Sequence, residues 1–173
     1  MSQANVEFIE GVFAGTEIED KQVLLAALPE LIAQTCDPDI EWVEDPQRAD
    51  SRVYHGHEGV QQSFERWFEQ WDEYGGEVEQ FIDCGDDVLV IAHERGRGRI
   101  SGARVSARSY WVFTIRAGKL ARYQEFYDEQ AALKAWGWRS RRCRRRTWTL
   151  CGGFTRPSRH ATMCCHSRSM TQR

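Results

Sequence analysis

The stretch EWVEDPQRADSRVYHGHEGVQQSFERWFEQW, residues 41–71, decides the fold of this chain. Ile40–Asp45 alternates between two faces, as a strand does, and residues 46–54 form a polar loop. A helix then opens at Gly56, and its apolar residues follow the spacing i, i+4, i+7, i+8, i+11: Val60, Phe64, Trp67, Phe68 and Trp71. This spacing predicts an amphipathic helix with one broad buried face.

Helical patterns precede this unit, and strand patterns follow it. The helical patterns cover Asn5–Gly15 and Asp20–Thr35, and Pro29 predicts a kink in the second or its division into two short helices. Gly75-Gly76 is predicted to end the helix that opens at Gly56. The chain after it is predicted to form strands at Val78–Cys84, Val88–Arg95, Arg104–Ile115 and Leu120–Tyr127, with a hairpin turn at Arg116–Lys119. Asp128 is predicted to cap a closing helix that runs through Trp136. Helices, a strand, a helix and then a run of strands predict an α+β fold.

Charge divides the chain into two compositions. Residues 1–137 hold 13 Lys and Arg against 26 Asp and Glu, a net charge of −13, whereas residues 138–173 hold 10 Arg and no acid. Phosphate would be repelled by the acidic part, so we expect no nucleic-acid partner for the domain itself.

Targeting signals are not apparent in the sequence. The start MSQANVEFIEG has no basic region followed by an apolar stretch, and no apolar run approaches the length of a membrane-spanning helix. We therefore expect a cytoplasmic protein that does not act on a membrane.

Two motifs carry a resemblance to a known superfamily. The sequence GHEGV opens the third predicted helix, and IRAGKLARYQEFYD closes the predicted sheet. With the order of elements, residues 4–136 resemble the SnoaL-like, or nuclear transport factor 2-like, superfamily, which includes the ketosteroid isomerases. The resemblance implies a domain over residues 1–137 in which a cone-shaped, curved antiparallel sheet wraps around about three helices, as in a cystatin-like roll. It also implies a cavity for a hydrophobic small molecule and a homodimer formed through the outer sheet face. The resemblance implies no cofactor.

The segment VEDP, Val43–Pro46, resembles the strand-end motif of the bacterial ketosteroid isomerases. The resemblance implies that Asp45 is a general base. The tyrosine of that family's oxyanion hole falls at or near Phe13, and the acid falls near Tyr110 or Trp111, so its oxyanion donors are absent. A second interpretation makes Asp45 a turn carboxylate that binds nearby backbone N–H groups.

Further candidates come from strand faces and aromatic content. His93 shares a strand face with Leu89 and Ile91, where it could carry a proton, although a sheet-face histidine is more often structural. Tyr110 is a candidate acid or hydrogen-bond donor. His55 and His57 lack a third metal ligand, so no metal site is predicted. The predicted ligand-binding residues are all aromatic, and core packing is the competing role for each: Phe13, Trp42, Trp67, Trp111, Tyr123 and Phe126.

Two functions fit these observations. The first is an isomerase, cyclase or hydrolase acting on a hydrophobic substrate with Asp45 as base. The second is a non-catalytic module that binds a hydrophobic ligand or a partner subunit. The VEDP motif favours the first, and the missing oxyanion residues favour the second.

The tail at 138–173 differs from the domain before it. It is rich in Arg and Cys, contains a single Leu, and shows no periodicity. We expect a disordered or out-of-frame extension. The alternatives are a basic arm that binds nucleic acid or a membrane surface, and a zinc site built from Cys143, Cys151, His160 and Cys164.

Overall fold

The computed structural model describes residues 2–14 and 21–135. The predicted tail at 138–173, with its alternatives, lies outside the described residues. Within them the chain forms four helices and six strands: α1 Ser2–Ala14, α2 Lys21–Thr35, β1 Cys36–Val43, β2 Val53–His55, α3 Gly56–Glu69, β3 Trp71–Cys84, β4 Asp87–Gly98, β5 Arg104–Arg116, β6 Lys119–Phe126 and α4 Glu129–Ala135. None of these described helices is long and apolar enough to cross a bilayer.

The strands form one curved sheet in the order β2-β1-β6-β5-β4-β3. Neighbouring strands are antiparallel except β1 and β6, which run parallel. The predicted α+β cone is confirmed, and the parallel pair follows from topology. Four intervening strands separate β1 from β6 in sequence, so no hairpin constrains their direction.

Each face of the sheet carries its own apolar cluster. On β5, Trp111 and Phe113 pack with the cluster that includes Ile9, Leu28 and Val60 of α1, α2 and α3: this is the concave face. Tyr110 and Val112 alternate with them and pack with Phe126 and with Ala132 of α4, which is the convex face. The main core therefore lies between the first three helices and the concave sheet face.

Several predictions of element boundaries were wrong, including that of β1, which begins at Cys36 and not at Ile40. Helix α3 ends at Glu69, and Trp71 begins strand β3, so Gly75-Gly76 lies inside a strand. Pairing of β3 with β4 along most of its length outweighs the local preference of the glycines. Part of the predicted loop forms β2, which pairs with β1. Helix α2 continues through Pro29 as one helix, so its division into two short helices is wrong, whereas the kink at Pro29 stays a prediction.

Two local signals were read correctly. The turn between β5 and β6 has positive φ at Ala117 and Gly118, 48° and 76°, which is the pattern of a tight hairpin turn. Asp128 caps α4, because its Oδ1 accepts a hydrogen bond of 2.7 Å from the backbone N–H of Ala131. These signals are local, and tertiary packing does not alter them.

Close packing of Trp71 against Gly96 gives a testable prediction. A Cβ at Gly96 would lie 2.6 Å from Cε3 of Trp71, so Gly96→Ala forces the indole or a strand to move. Such overpacking costs about 1–3 kcal/mol of the free energy of unfolding, measurable by urea denaturation. Gly75→Ala, nearby on the paired strand, is the matched control, since its Cβ meets nothing within 4 Å. Equal stability of the two variants would contradict the prediction.

Candidate active site

A cavity of about 260 Å³ lies between the three helices and the concave face of the sheet. Its walls are largely apolar, with Phe13 from α1, Leu28 from α2, Phe64 from α3 and Trp111 from β5. Aromatic contacts fix this wall: Trp42 stacks on Tyr123 with ring centroids 3.8 Å apart. An aromatic cavity of this kind suits an apolar small molecule.

Three buried carboxyl groups line the cavity, those of Glu44, Glu94 and Glu125. Glu94 on β4 and Glu125 on β6 are 6% and 7% exposed. The hydroxyl of Tyr74 donates a hydrogen bond to Oε1 of Glu94, and that of Tyr127 donates one of 3.1 Å to Oε1 of Glu125. The second oxygen of Glu94, Oε2, is buried and has no hydrogen-bond partner within residues 2–14 and 21–135.

Burial changes the proton affinity of these groups. Burial first, and then the negative charge of Glu94, raise the pKa of Glu125 from 4.5 to about 7. Burial and the neighbouring carboxylates also raise the pKa values of Tyr74 and Tyr127 well above that of free tyrosine, so both remain hydrogen-bond donors at neutral pH. Glu125 is consequently close to half-protonated near pH 7, which is the condition that favours a general acid or base.

A second polar network supports the cavity wall. Glu44, 6% exposed, accepts hydrogen bonds from Nη1 of Arg66 at 3.1 and 3.0 Å, from the backbone N–H of Arg52 at 3.0 Å and from the hydroxyl of Tyr54 at 3.4 Å. Arg66 also binds Asp50 at 2.7 Å. These contacts join α3 to β1 and β2. The oxygens of Glu44 are thus already engaged within the protein.

Asp45, the candidate base from sequence, is buried but directed toward the backbone. Its Oδ1 accepts a hydrogen bond of 2.8 Å from the N–H of Gln47, and its Oδ2 accepts one of 2.9 Å from the N–H of Tyr127. Asp45 is not among the described residues that line the cavity. This geometry matches the turn-carboxylate interpretation, and a catalytic role for Asp45 stays a prediction.

The other two catalytic candidates lie on the convex face. His93 contacts Ser106 at 2.9 Å and Arg95 at 3.3 Å, on the same face as Leu89. Tyr110 packs with Phe126 in the convex cluster. The structure does not bring His93 and Tyr110 together with Asp45 at the cavity, and their predicted site roles stay predictions.

Five of the six aromatic candidates do line the cavity. They are Phe13, Trp42, Trp67, Trp111 and Tyr123, whereas Phe126 packs against α4. Several have packing partners as well, such as the stack of Phe13 on Trp111 at 5.7 Å. Core packing and cavity lining are therefore properties of the same side chains.

Sequence reasoning missed Glu94 and Glu125. A usable signal was present at residues 123–127, where an acid alternates with two tyrosines on one face of a strand. On β4 both alternating faces are apolar, so the sequence did not show that Val90 and Glu94, rather than Ile91 and His93, face the helices. Among the described residues, no group of three or more His, Cys, Asp or Glu is placed to hold a metal ion.

The family profile of the SnoaL-like domain matches residues 22–123. The match spans more than half of the chain and includes the elements from α2 to β6 that form most of the cavity wall. The chain belongs to the SnoaL-like domain family. A search of curated proteins finds no significant match.

Solved structures of this fold are similar throughout the described domain. An NTF2-like protein from Burkholderia thailandensis E264 is 23% identical with a TM-score of 0.60, covering 76% of this chain and 95% of its own. TerC, co-crystallised with polyporic acid, is 22% identical with a TM-score of 0.55, covering 76% and 96%. A candidate SnoaL-like polyketide cyclase from Jannaschia sp. CCS1 is 20% identical with a TM-score of 0.52, covering 69% and 94%. At these identities the likeness shows the fold.

Proposed function

We propose that this protein is an enzyme of the isomerase, cyclase or hydrolase kind that transfers a proton on an apolar small molecule held in the cavity. One observation carries the proposal: the Glu125 carboxyl lines an aromatic cavity, is 7% exposed, and has a pKa of about 7. A desolvated acid with a pKa near the working pH exchanges protons efficiently in both directions. The similar fold named as a candidate polyketide cyclase supports the same substrate class.

The surrounding groups fit distinct roles in this reaction. Glu125 takes the proton from a carbon or oxygen of the substrate and returns it. Tyr127 holds the Glu125 carboxyl in place through its hydrogen bond of 3.1 Å. Burial raises the pKa of Glu125, and the charge of Glu94, which is held by Tyr74, raises it further. Asp45 is the competing base, and one assay separates the two.

The test uses 5-nitrobenzisoxazole, a small bicyclic probe, with the full chain. A base removes the carbon-bound proton while the ring N–O bond breaks, and the product is the coloured 2-cyano-4-nitrophenolate. If Glu125 is the base, the rate rises with pH to a plateau with a midpoint near 7, where Glu125 becomes ionised. Glu125→Gln is then expected to lower the rate by roughly 100-fold or more.

The controls distinguish the alternatives. Glu77→Gln alters an exposed carboxyl on the outside of the sheet and is expected to keep the parent rate. If Asp45→Asn loses activity while Glu125→Gln keeps it, the general base is Asp45 and not Glu125. A parent protein no faster than acetate at the same concentration would contradict proton transfer. Probe binding without turnover would then favour the binding module.

A further inference from the structure

One buried carboxylate joins the turn after β1 to the end of β6. Asp45 is 3% exposed, and each of its oxygens accepts a hydrogen bond from a different segment of the chain. Oδ1 binds the backbone N–H of Gln47 at 2.8 Å, and Oδ2 binds that of Tyr127 at 2.9 Å. Asp45 and Tyr127 are 82 positions apart in sequence, so this carboxylate fixes two segments that only the fold brings together.

On the β6 side, Asp45 is connected to Glu125 through a single residue. Tyr127, whose backbone N–H binds Asp45, also donates a hydrogen bond of 3.1 Å from its hydroxyl to Oε1 of Glu125. The ring of a tyrosine is rigid, so a shift of the Tyr127 backbone moves its hydroxyl away from the Glu125 carboxyl. The position of the proposed base therefore depends on a bond that Asp45 makes.

On the other side, Asp45 fixes the turn that carries Arg48. In addition to the side-chain bond to Gln47, the carbonyl oxygen of Asp45 accepts a hydrogen bond of 3.0 Å from the N–H of Arg48, which closes a β-turn. The Arg48 side chain is 20% exposed, lines the cavity and lies 5.2 Å from the centre of the Trp67 ring. The same aspartate thus holds the backbone from which a cation reaches the cavity.

The groups that face Glu125 act on its pKa in opposite directions. Burial and then the charge of Glu94 raise this pKa. The hydrogen bond from Tyr127 and then the charge of Arg48 lower it, and the charge of Asp45, the weakest of these influences, raises it. Two further groups near Glu125 stay neutral at pH 7, because burial raises their pKa values: Tyr74 and Tyr123.

We infer that Asp45 is a positioning residue, which holds Tyr127 against Glu125 and holds the turn of Arg48 at the cavity, and that it does not itself take the proton. This inference rests on the proposed function, in which Glu125 is the base. A general base must come within hydrogen-bond reach of the proton it takes, whereas Asp45 does not line the described cavity. Its effect on the reaction is therefore exerted through its two neighbours.

The test is the titration of the Glu125 carboxyl carbon, followed by NMR in the full-length parent and in Asp45→Asn. Asparagine keeps the shape of aspartate but has one acceptor oxygen, so the N–H of either Tyr127 or Gln47 loses its partner. Either loss loosens a group that lowers the pKa of Glu125, so this pKa is expected to rise. Removal of the Asp45 charge alone would lower it, and the sign of the change therefore separates positioning from a simple charge effect.

Two further variants calibrate this titration. Tyr127→Phe removes the hydroxyl and is expected to raise the pKa of Glu125, which gives the direction for a lost hydrogen bond. Asp83→Asn is the matched control, because Oδ1 of Asp83 also accepts a bond of 2.9 Å from the N–H two residues along, that of Gly85. Asp83 does not line the described cavity and does not shift the pKa of Glu125, so that pKa should stay at its parent value.

The rate of the 5-nitrobenzisoxazole reaction gives a second measurement. Asp45→Asn is expected to lose roughly tenfold in rate or more, since a displacement of about 1 Å in a catalytic group can cost about 100-fold. Its rate should still rise with pH to a plateau, with a midpoint above the parent value of about 7. Glu125→Gln should lack this rise.

Each outcome decides the inference. A pKa of Glu125 that falls or stays constant in Asp45→Asn would overturn it, and so would a rate that loses its rise with pH in Asp45→Asn but keeps it in Glu125→Gln. A rise in that pKa supports the hold of Asp45 on Glu125 even if Glu125→Gln keeps the parent rate, a result that would end only the proposed reaction. If Asp45→Asn does not fold, hydrogen exchange in the parent decides: the Tyr127 amide should exchange slowly, and rapid exchange would overturn the inference.

Discussion

Arg66→Met is expected to lower the free energy of unfolding by roughly 3 kcal/mol, because it leaves the buried carboxylate of Glu44 without its cation. Arg66 contacts both oxygens of Glu44 at 3.1 and 3.0 Å, and the Glu44 side chain is 7% exposed. Arg66 itself is 22% exposed, which places the cost at the lower end of the range for buried pairs. Urea denaturation at pH 7 measures the change.

A double variant separates the loss of the cation from the loss of packing. Glu44→Gln with Arg66→Met removes both charges, so most of the stability lost in Arg66→Met should return. The surface pair of Arg95 with Glu77, whose side chains are 64% and 66% exposed, is the matched control: Arg95→Met should cost less than about 1 kcal/mol. An Arg66→Met cost as small as that of Arg95→Met would show that the Glu44 carboxylate is solvated.

The stability of the protein is expected to fall as pH rises from about 4.5 to 7, through the titration of Glu125. The pKa of Glu125 is about 7 in the folded chain and near 4.5 when unfolded, so folding favours its protonated form. This contribution is complete below pH 4.5 and is lost as pH rises through 7, where the folded state must hold a buried carboxylate. The difference in pKa corresponds to about 3 kcal/mol.

Glu125→Gln isolates this effect from the other titrating groups. Glutamine keeps the shape and the acceptor oxygen for Tyr127 but cannot ionise, so the variant should exceed the parent's free energy of unfolding by less than about 1 kcal/mol at pH 5 and by about 3 kcal/mol at pH 8. Urea denaturation at both pH values measures the difference in the free energy of unfolding between Glu125→Gln and the parent. Glu77→Gln, at an exposed site, should show no gap that depends on pH. If the stability difference between Glu125→Gln and the parent is the same at both pH values, the Glu125 carboxyl is exposed to solvent.

Patterns that depend on neighbours along the chain were reliable guides to the elements. The apolar stripe of α3, the hairpin turn at Ala117-Gly118 and the cap at Asp128 are all set within a few residues. The end of α3, in contrast, is not set by residues close to it in sequence. Trp71 continues the helical spacing, yet it forms strand β3 because pairing with β4 satisfies more backbone groups than one further helical turn.

The candidate site divides in the same way. Aromatic content and position along the elements were sufficient to choose Phe13, Trp42, Trp67, Trp111 and Tyr123, all of which line the cavity. Alternation along β4 defines two faces without showing which one the helices cover, since both are apolar. His93 was therefore chosen where Glu94 faces the cavity.

The sequence by itself determined the α+β class, the order of the elements other than β2 and the aromatic character of the interior, because these follow from local periodicity and composition. Only the tertiary structure brought Glu94 of β4 and Glu125 of β6 to one end of the cavity, across the intervening strand β5. Their proximity depends on strand order and register, for example on the pairing of Glu94 with Ala107 and of Trp111 with Glu125, which local patterns in the sequence do not reveal. The raised pKa of Glu125 has the same origin, since burial and a second carboxylate exist only after the sheet has curved around the helices.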